Sequence, residues 1–205
     1  VTAAAAWDEE RPAETKTLDT VVVEGRQPGN ASGGSNTATG LDLSLRETPQ
    51  SLSVVTREWM DDFQLNDVNA VLNAVPNVRV EQIETDRTYF VARGFDITNF
   101  QRDGLGLPMP YGLQNGDIDT AIYERVEVLF GANGLMSGTG NPSATVNFVR
   151  KRPTTDLAGS TAVTVGSWSN LRFDADISAP LNESGSVRGR AVAAYQQGDS
   201  YLDRY

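Results

Sequence analysis

Two hydrophobic periods alternate along this chain. Ser51-Leu52-Ser53-Val54-Val55, just after Thr48-Pro49, carries the two-residue alternation of a strand. Glu58–Phe63 and Asp67–Val75 read as helices: Leu65, Val68, Val71, Leu72 and Val75 return at three- and four-residue spacing, and Pro76 closes the second. Val78–Val80 and Tyr89–Arg93 predict strands, the latter followed by Gly94-Phe95. Residues 104–116 hold Gly, Pro, Met and Tyr without a period and are expected to form a long loop, a kind of segment often kept for function. Ile118–Ile122 is expected to make a helical turn. Tyr123–Leu129 alternates as a strand, and Gly131, Gly134, Gly138 and Gly140 punctuate a tight loop. Thr145–Val149 is a further strand, ending in Arg150-Lys151-Arg152-Pro153. Together these predict an α+β domain of mixed sheet and short helices over residues 42–154.

The last fifty residues have a different texture. Thr161, Val163 and Val165 suggest a short strand. Leu171, Phe173, Ala175 and Ile177 alternate with Arg172, Asp174 and Asp176. After a turn at Pro180–Gly185, Val187, Gly189, Ala191, Ala193 and Tyr195 alternate with Arg188, Arg190 and Gln196. A membrane barrel with a wet interior needs such strands, because lipid admits only a closed, fully hydrogen-bonded sheet. A soluble antiparallel sheet with one solvated face shows the same alternation. Local pattern does not separate the two.

Ahead of the domain, residues 1–16 are Ala-rich and then charged, and are expected to be flexible. Thr17–Gly25 contains the β-branched run Val21-Val22-Val23, while Pro28–Gly40 has the Gly, Ser, Asn and Thr content of a flexible linker. The run is therefore either a strand of the following domain or an extended segment on a tether.

Composition narrows the chemistry. With 17 basic against 27 acidic residues the net charge is −10, which argues against a phosphate-binding surface. Cysteine and histidine are absent, which excludes zinc fingers, iron–sulfur ligation and Ser-His-Asp or Cys-His catalysis. No metal ligands and no resident cofactor are expected. The glycine pattern at 131–140 lacks the Gly-Lys-Ser/Thr ending of a phosphate loop, and Asp61, Asp62, Asp117 and Asp119 fall on separate elements. No enzyme is expected. No run of about 18 apolar residues is present to form a transmembrane helix.

Four segments carry a resemblance. Asp19-Thr20-Val21-Val22-Val23 resembles a TonB box. Glu47-Thr48-Pro49-Gln50-Ser51 with Val54-Val55-Thr56 resembles the start of a plug domain. Arg93-Gly94-Phe95 and Gln101-Arg102-Asp103-Gly104 match two short plug signatures. The stretch from Tyr123 through Gly131, Gly134, Gly138 and Asn141-Pro142 to Lys151-Arg152-Pro153 is the most specific. In this order and spacing, over residues 17–195, the chain is similar to TonB-dependent outer-membrane receptors for ferric siderophores. Phe130 stands where the family commonly has Arg or Lys, and Ser143-Ala144 replaces a commoner Gly-Gly pair. The variant Gly140–Ala144 with Arg150–Pro153 is most similar to hydroxamate-type receptors, such as those for pyoverdine, coprogen and ferrioxamine.

The resemblance implies an α+β plug (42–154), preceded by a flexible segment (1–41) with the box at 17–25. The first antiparallel strands of a transmembrane barrel (159–205) follow, three candidates out of about 22. It implies a bacterial outer-membrane location, TonB and a ferric siderophore as partners, and contact with the bilayer through the complete barrel. Asp19, Thr20, Val21, Val22 and Val23 would add a strand to TonB by backbone pairing. Arg93, Met109, Tyr111 and Gln114 would help bind the siderophore at the plug apex. The alternatives are a structural ion pair for Arg93 and plain loop exposure for Tyr111 and Gln114. Glu124, Arg125 and Glu127, with Arg150-Lys151-Arg152, would hold the plug to the barrel wall, Arg125 resembling the family's lock. A merely solvated face is the competing reading, favoured for Lys151 and disfavoured for Arg125. A TonB-dependent signal transducer, or a receptor for another large ligand, is the alternative function. The 16 residues ahead of the box are too few for the extra N-terminal signalling domain of some relatives, and a longer parent sequence would decide between the two functions.

Overall fold

Strand β1 (Leu52–Thr56) runs directly into helix α1 (Arg57–Asp62) because Thr56 serves both elements. Its backbone is extended, and its hydroxyl caps the helix by accepting from the Trp59 N–H at 3.3 Å. Asp67 caps helix α2 (Val68–Ala74) in the same way, accepting from the Ala70 N–H at 2.8 Å. Val68, Val71 and Leu72 form the buried face that the sequence spacing predicts. This computed structural model describes residues 34–137 and 141–200, so the Thr17–Gly25 run and the positions of Gly138 and Gly140 lie outside the described residues.

The helices pack under two small sheets. In one, β2 (Val78–Glu84) and β3 (Arg87–Ala92) are antiparallel, and β3 also pairs with β4 (Phe95–Asp96). The other has five strands. It is built from β1, β5 (Asn99–Arg102), β6 (Leu105–Gly106), β8 (Tyr123–Phe130) and β9 (Ala144–Arg150), in the order β1-β8-β9-β5-β6. Only the β5–β9 pair is parallel. Short β7 (Gln114–Asn115) joins β3, and helix α3 (Gly134–Ser137) follows β8. Met60, Val71 and Leu72 meet Phe90, Phe100, Val126 and Phe148 in one core, where Tyr123 stacks on Phe148 with ring centroids 5.2 Å apart.

Both short signatures prove to be two-residue hairpin turns. Ala92 pairs with Phe95 and Arg102 with Leu105, leaving Arg93-Gly94 and Asp103-Gly104 as the turn residues, all at positive φ. That is the type I′ geometry matched to strand twist, for which Asp-Gly is a favoured pair and Arg-Gly is not. Asp103 also accepts from the Arg150 N–H at 2.9 Å and from Arg150 Nε at 2.6 Å, tying this turn to the end of β9.

Three local expectations change. Ile118–Ile122 is not a helical turn. Its backbone instead bonds the loop before α2, with Val68 N–H donating to Ile118 O and Thr120 N–H to Asn66 O, both at 3.0 Å. Residues 104–116 are not one loop but contain β6, a 3-10 turn at Pro110–Gly112 and β7. Residues 34–40, read as linker, fold onto the sheet. Ser35 bridges Leu43, and Ser35, Thr37 and Ala38 are buried. This segment covers the second face of β8, so Glu127 and Leu129 are as buried as Val126 and Val128 on the core face.

A three-stranded antiparallel sheet stands outside the domain: β10 (Ala158–Val165), β11 (Leu171–Pro180) and β12 (Arg188–Gln197). Phe173 pairs with Val163 and Tyr195, and Ile177 with Ala191, which aligns the apolar residues on one face. That face is open: Val163, Val165, Phe173, Ile177 and Tyr195 are all exposed. No helix among the described residues is long and apolar enough to cross a membrane.

Candidate functional site

The polar face of the outer sheet grips the inner domain at two points. Arg172 of β11, only 3% exposed, forks onto Asp119 with bonds of 2.6 and 3.1 Å, binds Asp174 at 2.7 and 2.9 Å, and donates to Gln196 at 3.0 Å. A planar guanidinium suits this paired-carboxylate task where a lysine would not. At the second point Asp176 sits between Lys151 Nζ at 2.8 Å and Arg190, whose Nη2 lies at 2.7 Å. Arg190 also donates to the Arg152 carbonyl at 2.8 Å, and Ser178 Oγ accepts from the Thr154 N–H at 2.8 Å. Lys151 is therefore no solvated surface charge; it closes the exit of the inner domain against the outer sheet. Between the two grips lies a cavity of about 300 Å³, lined by Arg57, Asp61, Asn66, Lys151, Arg172 and Asp176 among others.

The three residues expected to lock plug to wall are placed differently from one another. Glu124 is exposed and acts electrostatically on Arg190 of the outer sheet. Arg125 turns along its own strand to Glu127, Nε to Oε1 at 2.6 Å. Glu127, fully buried, accepts in addition from the Thr37 hydroxyl and from Asn147 Nδ2 at 3.3 Å. Arg125 and Glu127 thus make these bonds within the inner domain.

Of the four residues expected to meet a ligand, two are displayed. Tyr111 is 94% exposed and held at φ 59° beside Gly112, also at positive φ. An aromatic in that region is strained and fully presented. Arg93, likewise at positive φ, extends its guanidinium over Gly131, where a Cβ would stand 3.0 Å from Arg93 Nη1. Met109 packs its side chain partly against the core. Gln114 is placed inside: it is buried, its amide donating to Asn69 Oδ1 at 3.2 Å and to Gly116 O at 2.8 Å. Sequence alternation had no means of marking Arg172 or Asp119 as partners, since 53 residues separate them.

Three carboxyl groups of the inner domain respond to acid with different signs. Asp117 is pushed above its ordinary pKa, first by burial and then by Asp67 and Asp86. Its ionisation costs stability, and that cost is relieved as the pH falls through the raised value. For Asp103 and Asp119 burial acts upward but is overcome, by Arg150 for the first and by Arg172 and the Ala121 N–H for the second, so both are lowered. What they contribute is complete above the ordinary aspartate value of about 4 and is lost as the pH falls through their folded pKa. Amide protection of residues 114–120 in the full-length protein, corrected for intrinsic exchange, should rise modestly on mild acidification and fall in stronger acid. Asp117→Asn should remove the rise and keep the fall.

A domain of short helices and small sheets, ion-paired to the charged face of strands whose other face is bare and apolar, defines a plug seated against part of a barrel wall. Residues 44–145 match the family described as TonB-dependent Receptor Plug Domain. The chain belongs to the TonB-dependent receptors. It is 51% identical over 172 residues to the ferripyoverdine receptor of Pseudomonas aeruginosa, covering 82% of this chain and 21% of that protein. The crystal structure of the P. aeruginosa ferripyoverdine receptor bound to ferripyoverdine superposes with a TM-score of 0.80 at 49% identity, over 85% of this chain and 24% of that one. The alcaligin outer-membrane receptor of Bordetella pertussis gives 0.75 at 50% identity, over 83% and 30%. The chain thus spans about a fifth to a third of the length of these proteins.

Proposed function

We propose that this chain is the N-terminal part of a bacterial outer-membrane receptor that takes up a ferric siderophore with energy supplied by TonB. The observation that carries the reading is the seating of the plug. Arg172, Asp176 and Arg190 hold it on the polar side of strands whose apolar side, with Phe173, Ile177 and Tyr195, suits lipid. The iron is cargo, enclosed in its chelator. Among the described residues no group of three or more Asp or Glu is placed to hold a metal. Tyr111 and Arg93 are the plug's contribution to the ligand surface, one offering a broad aromatic face and the other a donor fork for chelate oxygens. Asp19–Val23 would be the strand that TonB captures.

Ferripyoverdine, the ligand named for the relatives, is the first probe. The full-length receptor should bind it, and Tyr111→Ala should weaken binding about tenfold, the scale of one lost aromatic contact. Tyr111→Phe should retain most of the affinity. If neither ferripyoverdine nor a ferric hydroxamate such as ferrioxamine binds, the siderophore assignment is wrong.

A further inference from the structure

The buried carboxylate of Glu127 makes its bonds inside the plug, to Arg125, Thr37 and Asn147, and it is the most completely enclosed charged side chain in the described inner domain. It lies in the middle of β8, and its Oε2 accepts from the Thr37 hydroxyl and from Asn147 Nδ2 on β9. Asn147 Nδ2 also donates to Thr37 Oγ1 at 2.9 Å, closing a three-residue polar ring. Thr37 is held twice more: its carbonyl accepts from Asn133 Nδ2 and its N–H donates to Ser35 Oγ, both at 3.2 Å. The ring reaches the Asp103-Gly104 turn as well, since Asn147 Oδ1 accepts from the Gly104 N–H at 2.9 Å.

Among the described residues, Thr37 is the first from the N-terminal side whose side chain bonds to the central sheet. Lifting it away strips Glu127 of one of its three donors and Asn147 of one acceptor, and leaves the Oε2 side of the buried carboxylate with Asn147 Nδ2 alone while Arg125 Nε stays on Oε1. A buried charge in that condition must gain water, and water reaches it only if β8 and β9 loosen. Behind Thr37 comes β1, which among the described residues is an edge strand paired with β8 alone. At the other end of the plug, Lys151 and the Arg152 carbonyl are held to the wall by Asp176 and Arg190. A pull on the N-terminal segment is thus resisted by an anchored exit and concentrated on the ring.

We propose that Thr37, Glu127 and Asn147 form a latch that sets the threshold at which a pull on the N-terminal segment opens the central sheet of the plug. The latch rests on the reading that the segment is pulled at all. Its test therefore replaces TonB with a handle attached ahead of residue 17 on the full-length receptor in a lipid bilayer. At constant force, the dwell time before the first extension should shorten about tenfold in Thr37→Val, the factor for losing one hydrogen bond to a charged group. Thr37→Ser, which restores the hydroxyl, should return the dwell time to near that of the unaltered receptor. Asn147→Ala removes a second of the three donors to the same carboxylate and should shorten it independently. Unchanged dwell times in Thr37→Val and Asn147→Ala would overturn the latch, as would a Thr37→Ser receptor that opens as fast as Thr37→Val. Because TonB takes no part, either result leaves the assignment to TonB-driven uptake untouched.

Discussion

Replacing Glu127 with Ala should speed amide exchange in β8 and β9 of the full-length receptor by at least about two orders of magnitude, the equivalent of the roughly 3–5 kcal/mol lost when one partner of a buried charge network is removed. Three donors converge on this carboxylate: Arg125 Nε, the Thr37 hydroxyl and Asn147 Nδ2. Alanine leaves the Thr37 and Asn147 donors in a dry space, takes the partner from the half-buried Arg125, and opens a cavity as well. Glu127→Gln keeps the shape and one acceptor oxygen but turns an N–H₂ group toward donors, so its effect should fall between. The change should be strongest in β8, β9 and the 35–43 segment and weak in β2 and β3, which share no bond with the network. Unaltered exchange in β8 would show that Glu127 is not held as the structure has it.

Arg172→Ala should loosen the plug from the wall nearly as severely. The guanidinium is 3% exposed and bridges Asp119 of the plug to Asp174 and Gln196 of the wall. Its loss leaves two carboxylates facing each other with no cation between them. About 3 kcal/mol or more should disappear from this contact, read as faster exchange at Val68 and Thr120, whose N–H groups bond across the adjoining loops. Arg172→Lys should recover only part, because an ammonium cannot fork onto Asp119 while reaching Asp174. If exchange at these two amides is indifferent to the substitution, the plug is seated by other wall contacts.

How far the sequence foretold this arrangement depended on how local each cause was. Helix α2 was legible because its start, its buried face and its end lie within ten consecutive residues, Asp67 to Pro76. The outer strands were legible for the same reason: Arg172, Asp174 and Asp176 alternate with apolar neighbours whatever stands opposite. Residues 34–40 were misread because a run of Gly, Ser, Asn and Thr reads as linker until its partners are known, and the partner of Thr37 is 90 residues away. Lys151 was underrated for a similar reason, its carboxylate lying on a strand 25 residues further on. Gln114 looked like a loop residue because the two-residue strand that carries it inward is fixed by Thr88, not by its own neighbours. Ile118–Ile122 has helical spacing but is too short to sustain a helix, and its backbone groups found partners before α2 instead. The two glycine turns show the converse. Asp103-Gly104 is a turn signal with a mechanism, whereas Arg93 occupies a conformation that arginine seldom adopts, the kind of local cost that accompanies a functional position.

The central claim is that this plug belongs to a receptor driven through its N-terminal segment. The most direct measurement is calorimetric titration of the full-length receptor, loaded with ferripyoverdine, by the C-terminal domain of TonB, with residues 17–25 present or deleted. Val22→Pro, which removes a backbone donor and fixes φ, serves as the point-substitution control. Binding should be present with the segment intact and lost both on deletion and in Val22→Pro. Binding that persists at full strength without residues 17–25 would contradict the account.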